Sequence, residues 1–355
     1  MRGKLSVLKT SAAVCLILML FYNHSIAQPT STGTPEPTKV MTLRLADYDS
    51  AVANVVYNEN LFQWWAKEVN KRTGGRINVQ VFHSETLAKS PDFLNALDTG
   101  ICDVAHVAIP GFPGRFPISE FLIDTPVCFG DPKLIARILD KLVAGSLMKE
   151  FDAYVPTSYL FAGSMCLFTT KKKVSKLEDL KGLKIRVRGT PSSRLVEGLG
   201  ATPVTIGSAD LYTALERGTI DGIITSITYV EYTKLYEVTR YFIDHGLTGG
   251  LRLLAMSRNR FNSLPLDIQK ILMQLGQETG TRYLEGSVIE GEKGRKTFKE
   301  HGGAIYKLDP AEWARFMKVM DSVVDGLAGG LAAKGVPWPK VKETIDAAKA
   351  SFKLD

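Results

Sequence analysis

A cation inside an apolar strand needs a reason to be there. Arg186 is flanked by Leu183, Ile185 and Val187, and a guanidinium in such a setting is costly unless an anion meets it. Its planar fork suits a carboxylate, so the segment points to holding an organic anion. A structural ion pair with a nearby acid is the competing role for Arg186. Arg188, two residues on, faces the same side of the strand, either as a second carboxylate donor or as a charge on the rim. Tyr48 follows one strand pattern and His106 lies near the end of another, where a cleft wall would form. His106 can hydrogen-bond a ligand oxygen or be a satisfied core histidine. Tyr229 can close one side of a pocket or simply pack.

Chemistry of other kinds finds little support. HExxH, paired CxxC, GxSxG and GxxxxGK patterns are missing, and with them the usual metal, acyl-transfer and phosphate sites. His83, His106, His245 and His301 are scattered along the chain, and no two carboxylates stand out as an acid–base couple. The expectation is a binding protein with no catalytic residue, metal or cofactor.

The first residues read as an export signal. Arg2, Lys4 and Lys9 precede an apolar run from Thr10 to Tyr22, and Asn23 to Ala27 ends in a small-x-small pattern. Cleavage is expected after Ala27, giving a signal peptide over residues 1–27 and a periplasmic protein. The run is short for a membrane span, which needs roughly 20 residues, so the mature protein is not expected to cross the bilayer. Residues 28–39, rich in Pro, Thr and Ser, read as a flexible leader. The remaining length, about 315 residues, argues for two domains. Losing the signal lowers the formal net charge from +7 by the three charges of Arg2, Lys4 and Lys9. The mildly basic remainder has no Lys/Arg run or stacking motif of the kind that binds nucleic acid. Cys102, Cys128 and Cys166 are too few for a disulfide framework; small buried hydrophobes is the simpler reading, and any single bridge is left open.

The elements that must position Arg186 alternate between strand and helix. Strands are expected over Thr42–Asp47, at Ile77–Val81, over Asp103–Ile109, Lys184–Val187 and Ile220–Thr225. Between them come a helix over Leu61–Lys71, one opened by Ser90-Pro91, one opened by Pro191, one over Ala209–Arg217 that Ser208 can cap, and one over Tyr229–Thr239. Ser175-x-x-Glu178 has the form of a capping box. The loop Pro110–Pro117 lies beyond a strand's carboxyl end, where open α/β sheets bind ligands. From Pro265 a helical pattern runs to about Lys299. Gly276, Gly280, Gly286, Gly291 and Gly294 interrupt it, leaving one kinked helix or two. Strand Ala304–Leu308 and helices over Pro310–Asp325 and Pro339–Phe352 complete the chain.

Several passages in order, EDLKGLKIRV, GLGATPV and ADLYTALERGTIDG, with RTGGRINVQVF, RFPISE and MSRNRFNSLPLDIQK around them, resemble the solute-binding proteins of TRAP (tripartite ATP-independent periplasmic) transporters over nearly the whole mature chain. The resemblance implies an α/β, two-domain periplasmic-binding-protein-like fold with hinge strands and a long helix spanning both domains. Domain I would comprise residues 40–163 and 252–291, and domain II residues 164–251 and 292–355. It implies capture of a small organic acid by cleft closure and delivery to sodium-coupled membrane permease subunits. Arg186 would then hold the ligand carboxylate, and Arg188 stands where many relatives have proline. Many relatives carry a second ligand-facing arginine about twenty residues earlier; counting back reaches Cys166, which favours an apolar-bodied monocarboxylate. Thr225 stands where many have asparagine, although Thr225 or Ser226 can equally cap the next helix. The alternatives are a binding protein of another transporter class, a sensory receptor, or a periplasmic enzyme.

Overall fold

The computed structural model describes residues 40–51, 55–56, 59–128, 132–145 and 149–351. The expected signal peptide (1–27), its cleavage point and the leader (28–39) lie outside the described residues, as does Phe352.

Along the chain the elements are β1 (Met41–Ala46), β2 (Val55–Val56), β3 (Glu59–Asn60), α1 (Leu61–Arg72), β4 (Ile77–Phe82), α2 (Phe93–Asp98), β5 (Val104–Ala108), α3 (Pro117–Asp124) and α4 (Pro132–Ala144). The long strand β6 (Tyr154–Thr169) follows, then β7 (Lys184–Val187), α5 (Thr190–Gly198), β8 (Thr202–Thr205), α6 (Leu211–Glu216), β9 (Gly222–Thr225) and α7 (Ile227–Tyr232). A second long strand, β10 (Tyr241–Ser257), leads into α8 (Arg258–Asn262), α9 (Leu266–Glu300), β11 (Ala304–Tyr306), α10 (Pro310–Ala333) and α11 (Trp338–Ala350).

One mixed sheet has the order β4-β1-β5-β10-β6-β9-β7-β8, with β11 added beside β10. Parallel β4-β1-β5 stands at one end and parallel β9-β7-β8 at the other. Between them β6 and β10 pair antiparallel along nearly their whole length. Their register slips between Ile243 and Thr248 and again between Thr248 and Gly250. Such bulges bend a strand and raise its local twist.

Side-chain alternation splits the β9-β7-β8 end into two faces. Ile185, Val187 and Ile224 join the cluster of Leu195 on α5 and Phe316 and Met320 on α10. Ile223, with Phe168 and Phe242, joins Leu211 and Leu215 on α6 and Phe298 on α9. A further core of Phe116, Phe121, Leu139, Leu251 and Val341 lies under α3, α4 and α11.

Most local expectations hold to within a residue or two, but α10 runs on to Ala333 instead of ending near Asp325, one open choice is decided and three further expectations change. The segment from Pro265 forms one continuous helix, because several of its glycines face other backbone or side chains instead of breaking it: a Cβ on Gly280 would lie 2.6 Å from the Tyr159 carbonyl oxygen, and one on Gly276 would overlap that of Thr157. The cap after Ser175 is Asp179, whose Oδ2 accepts from the Ser175 and Lys176 amides at 2.9 and 3.1 Å; Glu178 instead pairs with Arg315. The helix expected over Tyr229–Thr239 stops at Tyr232, since Lys234 takes a left-handed φ of 58°. Ser208 lies in a short 3-10 turn without a side-chain cap. Cys102 and Cys166 are buried free thiols.

Candidate functional site

Register brings the second-half residues together. Parallel pairing sets Arg186 opposite Ile223, and one more step of two residues brings Arg188 beside Thr225. Thr225 pairs in turn with Cys166 across the β6–β9 ladder. Opposed residues share a face and alternate residues return to it, so Arg186, Arg188, Thr225 and Cys166 form one patch at the carboxyl ends of β7 and β9. Ligands of open α/β sheets bind at such strand ends.

Arg186 is buried, 9% exposed. Its Nε donates to the Ile206 carbonyl at 3.3 Å, and among the described residues no carboxylate pairs with it. Burial, then the neighbouring charge of Arg188, lowers its pKa from the ordinary arginine value. Arg188 has more company. Its Nη2 donates to the Gly249 carbonyl at 3.4 Å, within the irregular stretch of β10, and lies 3.8 Å from Oδ1 of Asp124. Asp124 ends α3 and is itself buried. Burial raises its carboxyl above the usual aspartate range, against the pull of Arg188, Ser192 and Arg186.

Tyr229 lies in the first turn of α7 and is close enough to Arg186 to act on it electrostatically. Of the two capping candidates Ser226 takes the role: its Oγ accepts from the Tyr229 amide at 3.2 Å. The Thr225 hydroxyl is therefore not committed to that cap. Burial pushes the Cys166 thiol up to about 12, so it stays a neutral, weakly polar wall at neutral pH.

The first-half residues form a separate buried network, again by register. Ala46 pairs with Phe82 and with Ala105, so one residue further on Asp47 falls between His83 and His106. Its Oδ2 accepts from His83 Nδ1 at 2.8 Å and its Oδ1 from His106 Nδ1 at 2.9 Å. His106 is wholly buried. Its Nε2 faces the Tyr48 hydroxyl at 3.5 Å, and Tyr48 stacks on the ring with centroids 4.4 Å apart. His106 thus has a partner at each ring nitrogen. Arg252 on β10 donates to the Tyr283 hydroxyl of α9. Burial works against its charge, but Tyr283, Tyr48 and Asp49 outweigh that and hold its pKa above the ordinary value. Asp47, Asp49 and His106 offer ligand atoms within 4.8 Å of one another. Both Asp47 oxygens already accept from histidines, so a cation there would share them with those bonds.

Sequence reasoning missed Asp47, Asp124, Arg252 and Tyr283. Arg252 had the signal that singled out Arg186, a lone cation among Leu251, Leu253 and Leu254. Asp124 had none, because its partner lies on a distant strand.

The description "bacterial extracellular solute-binding protein, family 7" matches residues 51–329. The chain belongs to this family. It is a TRAP-type periplasmic solute-binding protein, and the family is one of non-catalytic proteins. An uncharacterised protein of Haemophilus influenzae is 30% identical over 215 residues, covering 59% of this chain and 65% of that relative's length. A TRAP periplasmic solute-binding protein of Desulfovibrio salexigens, solved as an open complex, superposes with a TM-score of 0.77 at 25% identity, covering 89% of this chain and 98% of that one. Another, from Rhodoferax ferrireducens and solved with copurified benzoate, gives 0.76 at 25% identity, covering 88% and 98%.

These likenesses bear out the α/β periplasmic-binding-protein fold and the long helix of the TRAP solute-binding protein. Among the described residues no helix is long and apolar enough to cross a membrane.

Proposed function

We propose that this protein captures a small organic acid bearing one carboxylate and delivers it to TRAP permease subunits. The observation that carries the reading is Arg186: a buried guanidinium at a strand's carboxyl end that bonds a carbonyl and, among the described residues, forms no ion pair with a carboxylate. A ligand carboxylate supplies the missing anion, and charge-assisted bonds to it are the strong kind. Thr225 and Tyr229 add polar groups to the same patch, and Cys166 an apolar wall. The benzoate carried by the Rhodoferax protein is a ligand of this type. Tyr48 would face the ligand from the other half, its ring and hydroxyl set by the buried His106.

Capture would proceed by closure of two domains, residues 40–163 with 252–291 and residues 164–251 with 292–355. The exchanges at 163/164 and 251/252 fall within β6 and β10, and the register slips around Thr248 to Gly250 give β10 a place to flex. A micromolar ligand contributes about 8 kcal/mol, enough to bias an open–closed equilibrium of a few kcal/mol. Cleavage of the export signal after Ala27 belongs to the same proposal.

The test is calorimetric titration of the mature protein, unfolded and refolded to strip carried-over ligand, against small organic acids, beside Arg186→Ala. Loss of a charged hydrogen bond worth about 1.5–3 kcal/mol predicts affinity weaker by about 10- to 150-fold in a variant that still folds. Equal affinities for both proteins would remove Arg186 from the site, and no binding of any acid would sink the ligand class.

A further inference from the structure

Two guanidiniums stand at the carboxyl end of β7, and one buried acid reaches the second of them, Arg188. Asp124 comes from α3, far from β7 in sequence, and it is 3% exposed. Its Oδ1 accepts no hydrogen bond and lies 3.8 Å from Arg188 Nη2. Its Oδ2 occupies the space beside Gly189, where a Cβ would come within 3.0 Å of it. Gly189 has an ordinary extended φ of −148°, so its backbone would accept any residue but proline; what a side chain would meet there is Asp124. The carboxylate is therefore built into the wall of the patch, and the electrostatic influence of Asp124 extends to Arg186 as well as Arg188. In the other half Arg252 already has Asp49 and two tyrosines about it.

We infer that Asp124 is a built-in counter-ion for Arg188 that leaves a single uncompensated positive charge at Arg186, and so restricts the site to monoanions. This rests on the carboxylate-binding reading above and adds the residue that sets ligand charge. A second ligand carboxylate approaching Arg188 would meet Asp124, and like charges brought together without water oppose binding strongly. Rejection by a misplaced like charge is a common route to specificity. The dicarboxylate is refused by an added negative charge as well as by a missing arginine.

The test titrates the refolded mature protein with pairs matched in carbon skeleton: butyrate and succinate, 3-methylbenzoate and isophthalate, gluconate and glucarate. Wild type should bind one monocarboxylate at least about tenfold tighter than its dicarboxylate partner, and Asp124→Asn should shift that ratio toward the dicarboxylate by about tenfold or more. Arg188→Gln should weaken the monocarboxylate by about tenfold, because Asp124 then opposes it unpaired. The double variant Asp124→Asn/Arg188→Gln should regain most of that loss, which damage to the fold could not produce. An unchanged ratio in Asp124→Asn, or no recovery in the double variant, overturns the inference while wild-type binding keeps the broader reading. Wild type binding no carboxylate overturns both, and wild type preferring a dicarboxylate overturns this one.

Discussion

Replacing Gly276 by alanine tests whether α9 rests on the crossing strands as closely as the structure describes. In an exposed helix this exchange stabilises by up to about 1 kcal/mol. Here the new methyl would overlap the carbonyl oxygen of Thr157 and come within 2.7 Å of its carbon. Both atoms are backbone of β6, which is paired on its other side to β10, so no side chain can swing away. Relief requires the helix to lift, and lifting loosens the 2.7 Å bond from the Ser158 hydroxyl to the Gly276 carbonyl. Overpacking costs about 1–3 kcal/mol and the loosened bond about 1 kcal/mol. Against the helix-propensity gain, the net loss is about 1–3 kcal/mol. Gly280→Ala, at 2.6 Å from the Tyr159 oxygen, should lose less. Gly326→Ala on α10, where nothing lies within 4 Å, should gain stability instead. Urea unfolding followed by tryptophan fluorescence ranks the three. A Gly276→Ala protein as stable as Gly326→Ala would refute the close approach and, with it, the account of why the glycine-rich segment stays one helix.

Two further outcomes follow from buried groups. Glu150 accepts from the Ile118 and Ser119 amides at 2.8 and 3.0 Å and from the Ser119 hydroxyl at 2.5 Å, yet burial pushes its carboxyl from 4.5 up to about 7. A carboxyl raised on folding favours the folded state most below its unfolded value, and that contribution fades as pH rises through 7. Between pH 8 and pH 4.5 wild type should therefore gain up to about 3 kcal/mol relative to Glu150→Gln, read from unfolding midpoints of both proteins; parallel pH profiles would count against it. Cys102 and Cys166 are buried, with thiols pushed up to about 12. Iodoacetamide at neutral pH should leave both unmodified in the native protein and modify both in urea, as peptide mapping would reveal; native labelling of Cys166 would mean that the wall beside Thr225 is open.

Residue patterns alone marked many of the strands and helices and the one residue on which the proposed function rests, although β6, β10, α3 and α4 went unread. Arg186 was legible because burial of a cation in an apolar strand is a local contradiction, visible in five consecutive residues. The strand Lys184–Val187 and the helix stops at Gly100, Gly200 and Gly218 were legible for a similar reason, since positive φ at each glycine is a local demand. Tertiary structure decided what those elements could not state for themselves. Whether the glycines after Pro265 break a helix depends on the strand lying against them. The pairing of Asp47 with two histidines is set by sheet register, which no single strand contains. The company of Arg188 is an acid 64 positions earlier in the chain, and that distance closes only when α3 packs beside β10 and α5. Local sequence fixes where a charge is costly; the assembled fold decides which charge answers it.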